Sequence, residues 1–221
     1  MRLLAIIPAF QAVSYIRGVI DSAKDRVSDI LVVDDGSTDG TGEIAKSAGA
    51  IVVRHDSNRG KGAALKTGFA YAIEHDYEAV VTLDADGQHD PKYIPDFLSV
   101  QASTGASIVI GSRIHDKADM PWQRRCSNFL TSRALSLLLR TKIEDSQSGY
   151  RLIRTEILKN LPLISDHYQL ETEIIIKAVK AGYKIAFVPI KVIYGLDFPT
   201  SIRGWADTFR WIRLVLREIR K

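Results

Sequence analysis

Short runs of Val, Ile and Leu that alternate with stretches of helical spacing constrain this chain more than any other feature. Residues 3–7 read as a buried strand closed by Pro8, and Ile16, Val19, Ile20 and Ala23 then fall on one face of a helix. The pattern repeats. Strands are expected over 30–33, 51–53, 79–83 and 106–110, with helices over 41–48 and 61–74 and another starting at Pro91. Gly49 is placed to stop the second helix, and Leu65, Phe69, Ala72 and Ile73 face inward from the third. Strands this rich in Val and Ile are apolar on both sides, as in a sheet covered by helices above and below. The expected class is α/β, with a mostly parallel central sheet flanked by helices.

Beyond Gly111 the texture changes. Residues 114–120 read as a loop, 123–139 as a helix carrying Arg124, Arg125 and Arg133, and 147–153 as a short strand. Residues 170–180 are a further helix and 185–194 an extended segment. A final helix over 200–221 sets Ile202, Trp205, Phe209, Ile212, Leu216 and Ile219 at helical spacing, beside Arg203, Arg210, Arg213, Arg217 and Arg220. Aromatics next to cations suit an amphipathic helix lying on an anionic membrane surface. A core helix with a snorkelling basic edge, or a dimer contact, gives the same pattern. With no repeats and no linker, one domain is expected over 1–221.

Composition narrows the partners. A net charge of +4, with no dense basic block before the C-terminal segment, argues against nucleic acid. The single Cys126 forbids an internal disulfide and suits a reducing compartment. No apolar run reaches the length of a membrane span, and the first strand follows without a signal-peptide pattern. The expected location is cytoplasmic, with membrane contact only peripheral, at the inner face.

Parallel strands gather ligands at their carboxyl ends, and two of those ends are acidic. Asp84-Ala85-Asp86-Gly87-Gln88 directly follows the fourth strand. Two carboxylates one residue apart suit a hard divalent cation, which prefers oxygen ligands and commonly bridges carboxylates to substrate phosphates. The Gln88 amide oxygen would be a third ligand. The second strand runs into Asp34-Asp35-Gly36-Ser37-Thr38-Asp39. A carboxylate there can accept from a base imino group or a ribose hydroxyl, while Ser37, Thr38 or Asp39 can equally cap the next helix. Asn58-Arg59-Gly60-Lys61-Gly62 combines close backbone approach with two cations suited to phosphate. A flexible helix start with solvated charges is the plainer reading, and the spacing is not that of a Walker loop.

Taken in order, several segments resemble the glycosyltransferase family 2 enzymes with the GT-A fold, especially the dolichyl- and polyprenyl-phosphate sugar synthases. They are Ile7-Pro8-Ala9-Phe10, residues 32–39, 58–62 and 84–89, Gly111-Ser112-Arg113, and Asp145-Ser146-Gln147-Ser148-Gly149-Tyr150-Arg151. The resemblance runs from Ile6 to about residue 194. It implies a GDP- or UDP-linked sugar held by residues 1–112, with Pro8, Ala9, Phe10, Asp34, Asp35, Lys61, Asp84, Ala85 and Asp86 on that sugar nucleotide. It also implies Mg²⁺ or Mn²⁺ on Asp84, Asp86 and Gln88, and an acceptor side within 113–199. The family usually follows Pro-Ala with Tyr-Asn-Glu, whereas this chain has Phe10-Gln11-Ala12 and lacks that carboxylate.

A polyprenyl phosphate acceptor is already anionic, so it needs cations to align it more than a base to activate it. By similarity Arg113, Arg124, Arg125 and Arg151 would bind it, a solvated basic face being the alternative. Asp86, Arg113 and Asp145 are the expected catalytic set. Asp145 would be the base for a hydroxyl acceptor and an orienting group for a phosphate. Glu171 and Glu173 lie two apart on a helix, so one is expected to reach the site and the other to be exposed. His89 alone among the histidines lies beside the acidic turn. The expected reaction is metal-dependent, inverting sugar transfer to a polyprenyl phosphate at the cytoplasmic membrane face. A saccharide or other hydroxyl acceptor, a nucleotidyltransferase and a non-catalytic nucleotide-sugar binder are the alternatives.

Overall fold

A computed structural model describes residues 1–114, 122–193, 211, 213–215 and 217–218, with 122–124 as backbone alone. The strands are β1 (Leu3–Ala9), β2 (Asp29–Asp34), β3 (Ile51–Arg54), β4 (Ala79–Thr82), β5 (Ile108–Ser112), β6 (Arg151–Arg154) and β7 (Ile185–Pro189). The helices are α1 (Ile16–Lys24), α2 (Thr41–Ser47), α3 (Lys61–Glu74), α4 (Ile94–Thr104), α5 (Trp122–Leu139), α6 (Thr155–Asn160) and α7 (Gln169–Lys180).

All seven strands form one sheet in the order β3-β2-β1-β4-β6-β5-β7. Every pairing is parallel except the two made by β6, which runs antiparallel between β4 and β5. Alternate residues feed opposite cores. Ala5 and Ile7 of β1 pack with Ile16, Val19 and Ile20 of α1 and with Phe97 of α4. Leu4 and Ile6 pack with Leu65 and Phe69 of α3 and with Ile174 and Ile175 of α7. Burial on both faces explains why the strands read as unbroken apolar runs.

Three expectations change. Pro8 does not close β1, which continues to Ala9 with Pro8 paired to Val33. The β1–β4 ladder stops at Ile6 and Thr82, so the missing Pro8 N–H costs no bond on that side. The short strand expected over 147–153 begins only at Arg151, the residues before it forming a turn. The helix α6 was not expected; it buries Ile157 and Leu158. Of the final helix over 200–221, the described residues 211, 213–215 and 217–218 are helical, and Leu214 and Val215 are buried. The rest of that helix, including Ile202, Trp205, Phe209, Ile212, Leu216, Ile219, Arg203, Arg210 and Arg220, lies outside the described residues, as do 115–120 of the expected loop.

Candidate active site

The antiparallel strand builds the site. Parallel β1, β2, β4 and β5 all deliver their carboxyl ends to one edge of the sheet. Because β6 runs the other way, its amino end reaches that same edge, where Arg151 pairs with Thr82 and Ile110. The turn of residues 145–150 is thereby laid against the acidic turn after β4. Thr82 Oγ1 donates to the Gly149 carbonyl at 2.6 Å, and Gly111 N donates to the Tyr150 carbonyl at 2.9 Å.

Lys61, the first residue of α3, joins the two turns electrostatically. Its Nζ lies 2.6 Å from Asp84 Oδ1 and 2.9 Å from Glu171 Oε1 on α7, and 5.6 Å from the centre of the Tyr168 ring. Burial would lower the Lys61 pKa, but Asp84 and Glu171 reverse this and hold it well above the ordinary lysine value. Burial likewise would raise Asp84; Lys61, His89 and Arg113 outweigh it and hold the carboxyl at about 2. Gly149 sits against this cluster. A Cβ there would fall 2.9 Å from Glu171 Oε1 and Lys61 Nζ and 3.0 Å from Asp84 Oδ2. Only a residue without a side chain leaves the three groups their positions.

Asp86 and Gln88 are half-buried beside Asp84, and the Gln88 amide N–H donates to Asp86 Oδ1 at 3.0 Å. Burial and then the charge of Asp84 push the Asp86 pKa up, so Asp86, unlike Asp84 beside Lys61, is a carboxylate without a close cation among the described residues. His89 is buried and stacked on Tyr150, and its Nδ1 accepts the Asp84 N–H at 3.1 Å. Burial pushes its pKa down. Such a turn fits a divalent cation. Among the described residues no group of three or more His, Cys, Asp or Glu forms a self-contained metal cage. The remaining ligands would have to come from water and a diphosphate, the usual habit of Mg²⁺.

On the other side of the turn, Arg113 makes a fork onto Asp145: Nε to Oδ2 at 2.7 Å and Nη2 to Oδ1 at 2.9 Å. Asp145 is wholly buried and also accepts from the backbone N–H groups of Arg113, Gln147 and Ser148. Burial would raise its pKa, but Arg113 and these N–H groups bring it below the usual carboxylate range. A carboxylate so engaged is a poor proton acceptor, and of the two roles expected of Asp145 the geometry suits the orienting one. Arg151, expected to bind the acceptor, is 1% exposed, and its guanidinium donates to the backbone carbonyls of Ser148, Glu171 and Ser146. Arg125 is exposed on α5, and the side chain of Arg124 lies outside the described residues.

The first-half loops stitch one another together. Backbone N–H groups of Gln11, Ala12 and Val13 donate to side chains of Ser37, Thr41 and Asp39. Asp34 is wholly buried; its Oδ1 accepts from Ser37 N, and its Oδ2 lies 3.6 Å from Arg54 Nε. Asp35 is 3% exposed and accepts from the backbone of Arg59 and Gly60 and bonds the His55 ring at 2.6 Å. Both oxygens thus help to hold the 58–60 loop beside the place where base or ribose was expected. Gly60, at φ +97°, takes a conformation other residues avoid, and a Cβ there would meet His167. Pro8 is half-buried, Ala9 and Ala85 are buried, and Phe10 is exposed at the end of β1.

Sequence reasoning left Glu171 undecided and overlooked Gly149 as a cradle. Both Glu171 and Glu173 are buried, contrary to expectation; Glu173 bonds Lys177 and the N–H groups of Ile164 and Ser165. Two acidic residues, Glu171 and Glu173, just before the apolar run Ile174-Ile175-Ile176 of one helix were the available signal.

Comparisons with known proteins bear on the family and the fold. The model of the family described as glycosyl transferase family 2 matches residues 4–162. The undecaprenyl-phosphate mannosyltransferase of Micrococcus luteus is 32% identical over 87% of this chain and 84% of its own. The UDP-N-acetylglucosamine–dolichyl-phosphate N-acetylglucosaminyltransferase of Methanococcus voltae is 33% identical over 86% of this chain and 84% of its own. A crystal structure of glucosyl-3-phosphoglycerate synthase from Mycobacterium tuberculosis, with Mg²⁺ and UDP, superposes with a TM-score of 0.79 at 24% identity. It covers 98% of this chain and 79% of that one, and the likeness establishes the fold as GT-A.

Proposed function

We propose, for a chain that belongs to glycosyl transferase family 2, that it moves a sugar from a nucleoside diphosphate to a polyprenyl phosphate. One oxygen of the acceptor phosphate would attack the anomeric carbon as the bond from that carbon to the diphosphate oxygen breaks, inverting the centre. The products would be a lipid-linked sugar phosphate and a nucleoside diphosphate. Relatives named for transfer to undecaprenyl and dolichyl phosphate support this acceptor class.

The observation that carries the reading is how the site's carboxylates are spent. Asp145 is held by Arg113, Asp84 and Glu171 by Lys61, and Asp86 is the carboxylate left for the metal. A hydroxyl acceptor would need a carboxylate ready to take its proton; a phosphate brings its own negative charge. Asp84, Asp86 and Gln88 would hold Mg²⁺ or Mn²⁺, which when bound supplies positive charge to the leaving diphosphate. Lys61 adds a fixed cation on the same side. Arg113, kept straight by Asp145, is the cation for the incoming phosphate. An anionic membrane surface is where such an acceptor resides.

The test is a panel of GDP- and UDP-sugars with Mg²⁺ or Mn²⁺, with and without a short-chain polyprenyl phosphate. Lipid-dependent release of nucleoside diphosphate supports the reading. Transfer to saccharides alone replaces the acceptor, pyrophosphate release from nucleoside triphosphate and sugar phosphate indicates a nucleotidyltransferase, and tight binding without turnover indicates a binder.

A further inference from the structure

A buried histidine stands behind the loop that leads into Lys61. His55 lies just past β3 and Asp35 just past β2, and both are buried. The ends of the two strands bring them together. The β2–β3 ladder runs up to Asp34 and Arg54, and His55 N then donates to the Asp34 carbonyl at 2.9 Å. His55 Nδ1 lies 2.6 Å from Asp35 Oδ1, and its Nε2 lies 2.9 Å from Thr67 Oγ1 on α3.

The partners fix where the ring carries its hydrogen. An ionised carboxylate can only accept, so the hydrogen on the short bond belongs to His55 Nδ1. In the neutral ring Nε2 is then an acceptor, and the Thr67 hydroxyl donates to it. Thr67 thereby holds the ring in the tautomer that serves Asp35.

Asp35 passes this order on to the backbone. Arg59 N donates to its Oδ1 and Oδ2 at 3.0 and 3.1 Å, and Gly60 N donates to Oδ2 at 2.7 Å. Among the described residues His55 supplies the one side chain bonded to this carboxylate, and so sets its direction. Gly60, at φ +97°, is the residue from which α3 starts with Lys61. One step beyond, Ala63 N donates to the Asp166 carbonyl at 3.0 Å, and a Cβ on Gly62 would fall 2.6 Å from Asp166 C. Lys61 thus stands between two anchors. Release of the first lets its backbone turn about the second.

We infer that His55 is a positioning residue: through Nδ1 it orients Asp35, and through Asp35 it sets the backbone from which Lys61 reaches the diphosphate side. The inference deepens the transferase reading and rests on it for the role of Lys61. The hydrogen on Nδ1 does not depend on that reading.

The test compares two variants of the full chain. His55→Asn places an amide donor near the Nδ1 position, whereas His55→Phe fills the space of the ring without one. Calorimetry reads the binding of GDP and of UDP in the presence of Mn²⁺, and the transfer assay reads KM and kcat. His55→Phe should bind the preferred nucleotide about tenfold more weakly and turn over about tenfold more slowly, since Lys61 loses its place. His55→Asn should stay within about threefold of the natural chain in both. Circular dichroism shows whether the variants are folded, and ¹⁵N NMR of the natural chain should show a hydrogen on His55 Nδ1 whatever the variants do. A hydrogen on Nε2 alone, equal losses in the two folded variants, or native binding by His55→Phe overturns the inference and leaves the transferase reading standing. Nucleotide binding that depends on His55 in this way, without transfer to polyprenyl phosphate, supports the inference and removes the acceptor. A natural chain that binds neither nucleotide overturns both.

Discussion

The Lys61 ammonium lies 2.6 Å from Asp84 Oδ1, on the first carboxylate of the turn proposed to hold the metal. Glu171 shares that ammonium at 2.9 Å, so Lys61 has a second anion to rest on. A divalent cation at Asp84 and the ammonium repel each other at such separations, even with protein screening. Lys61→Met should therefore tighten Mn²⁺ binding in the absence of substrate, because the competing cation is gone and Glu171 adds unpaired negative charge nearby. Turnover should fall about a hundredfold or more, since a fixed cation on the diphosphate side is lost. Titration of Mn²⁺ by electron paramagnetic resonance checks the first outcome; weaker Mn²⁺ binding by the variant contradicts the competition.

Asp145 and Arg113 should separate by their kinetics. Arg113→Lys keeps the charge but not the two-pronged geometry, so KM for the acceptor should rise and turnover drop with sugar-nucleotide affinity unchanged. Asp145→Asn should lower the rate without removing the acidic limb of its pH profile, because Asp145 positions Arg113 and does not take a proton. Loss of that limb in the variant would restore Asp145 as a general base.

Most of the sheet was legible because its strands are covered on both sides, so apolar runs mark them without ambiguity. The direction of β6 was not. Alternation of residues carries no sign, and Arg151–Arg154 reads the same in either direction. That direction is what lays Gly149 against Asp84. The burial of Arg151 was not legible because an arginine next to a glycine turn usually means surface, and only the structure shows its guanidinium donating to three backbone carbonyls. The acidic turns stood out by spacing alone, whereas the Lys61–Glu171 pair joins α3 to α7 and leaves no local trace.

Arg151 supports the fold, and its removal should show in stability before it shows in any acceptor constant. Arg151→Ala leaves the carbonyls of Ser146, Ser148 and Glu171 without their common donor in a buried place. The Glu171 carbonyl keeps its bond within α7, and the other two orphaned acceptors cost on the order of 1 kcal/mol or more each, so the variant should lose about 2 kcal/mol or more. Denaturant unfolding measures it. A loss within about 0.5 kcal/mol would place Arg151 on the surface instead.

Acid should loosen the same region. Asp145 has its pKa held below the ordinary aspartate value, so ionised Asp145 favours the folded state above that value. The contribution is present above about pH 4 and is lost as pH falls through the lower folded value. Stability of the natural chain should decline on acidification below about pH 4, and Asp145→Asn should start lower and decline less steeply. Parallel curves for the two proteins would mean that Asp145 gains nothing from Arg113.

Gly149 offers the narrowest probe of the site. Its open Cα position lies where a Cβ would come within 2.9 Å of Lys61 Nζ and Glu171 Oε1 and 3.0 Å of Asp84 Oδ2. Those atoms end side chains, so Gly149→Ala can be accommodated by turning them aside, and the backbone pairing of Thr82 with the Gly149 carbonyl can persist. The melting temperature should move little. The cation and the two carboxylates, however, cannot all keep their separations around a methyl group. Turnover should fall about a hundredfold, the cost of displacing a charge that acts on the leaving group. Calorimetry beside the transfer assay distinguishes the cases. Full activity in a folded Gly149→Ala chain would show that the Lys61–Asp84–Glu171 cluster lies away from the reacting atoms.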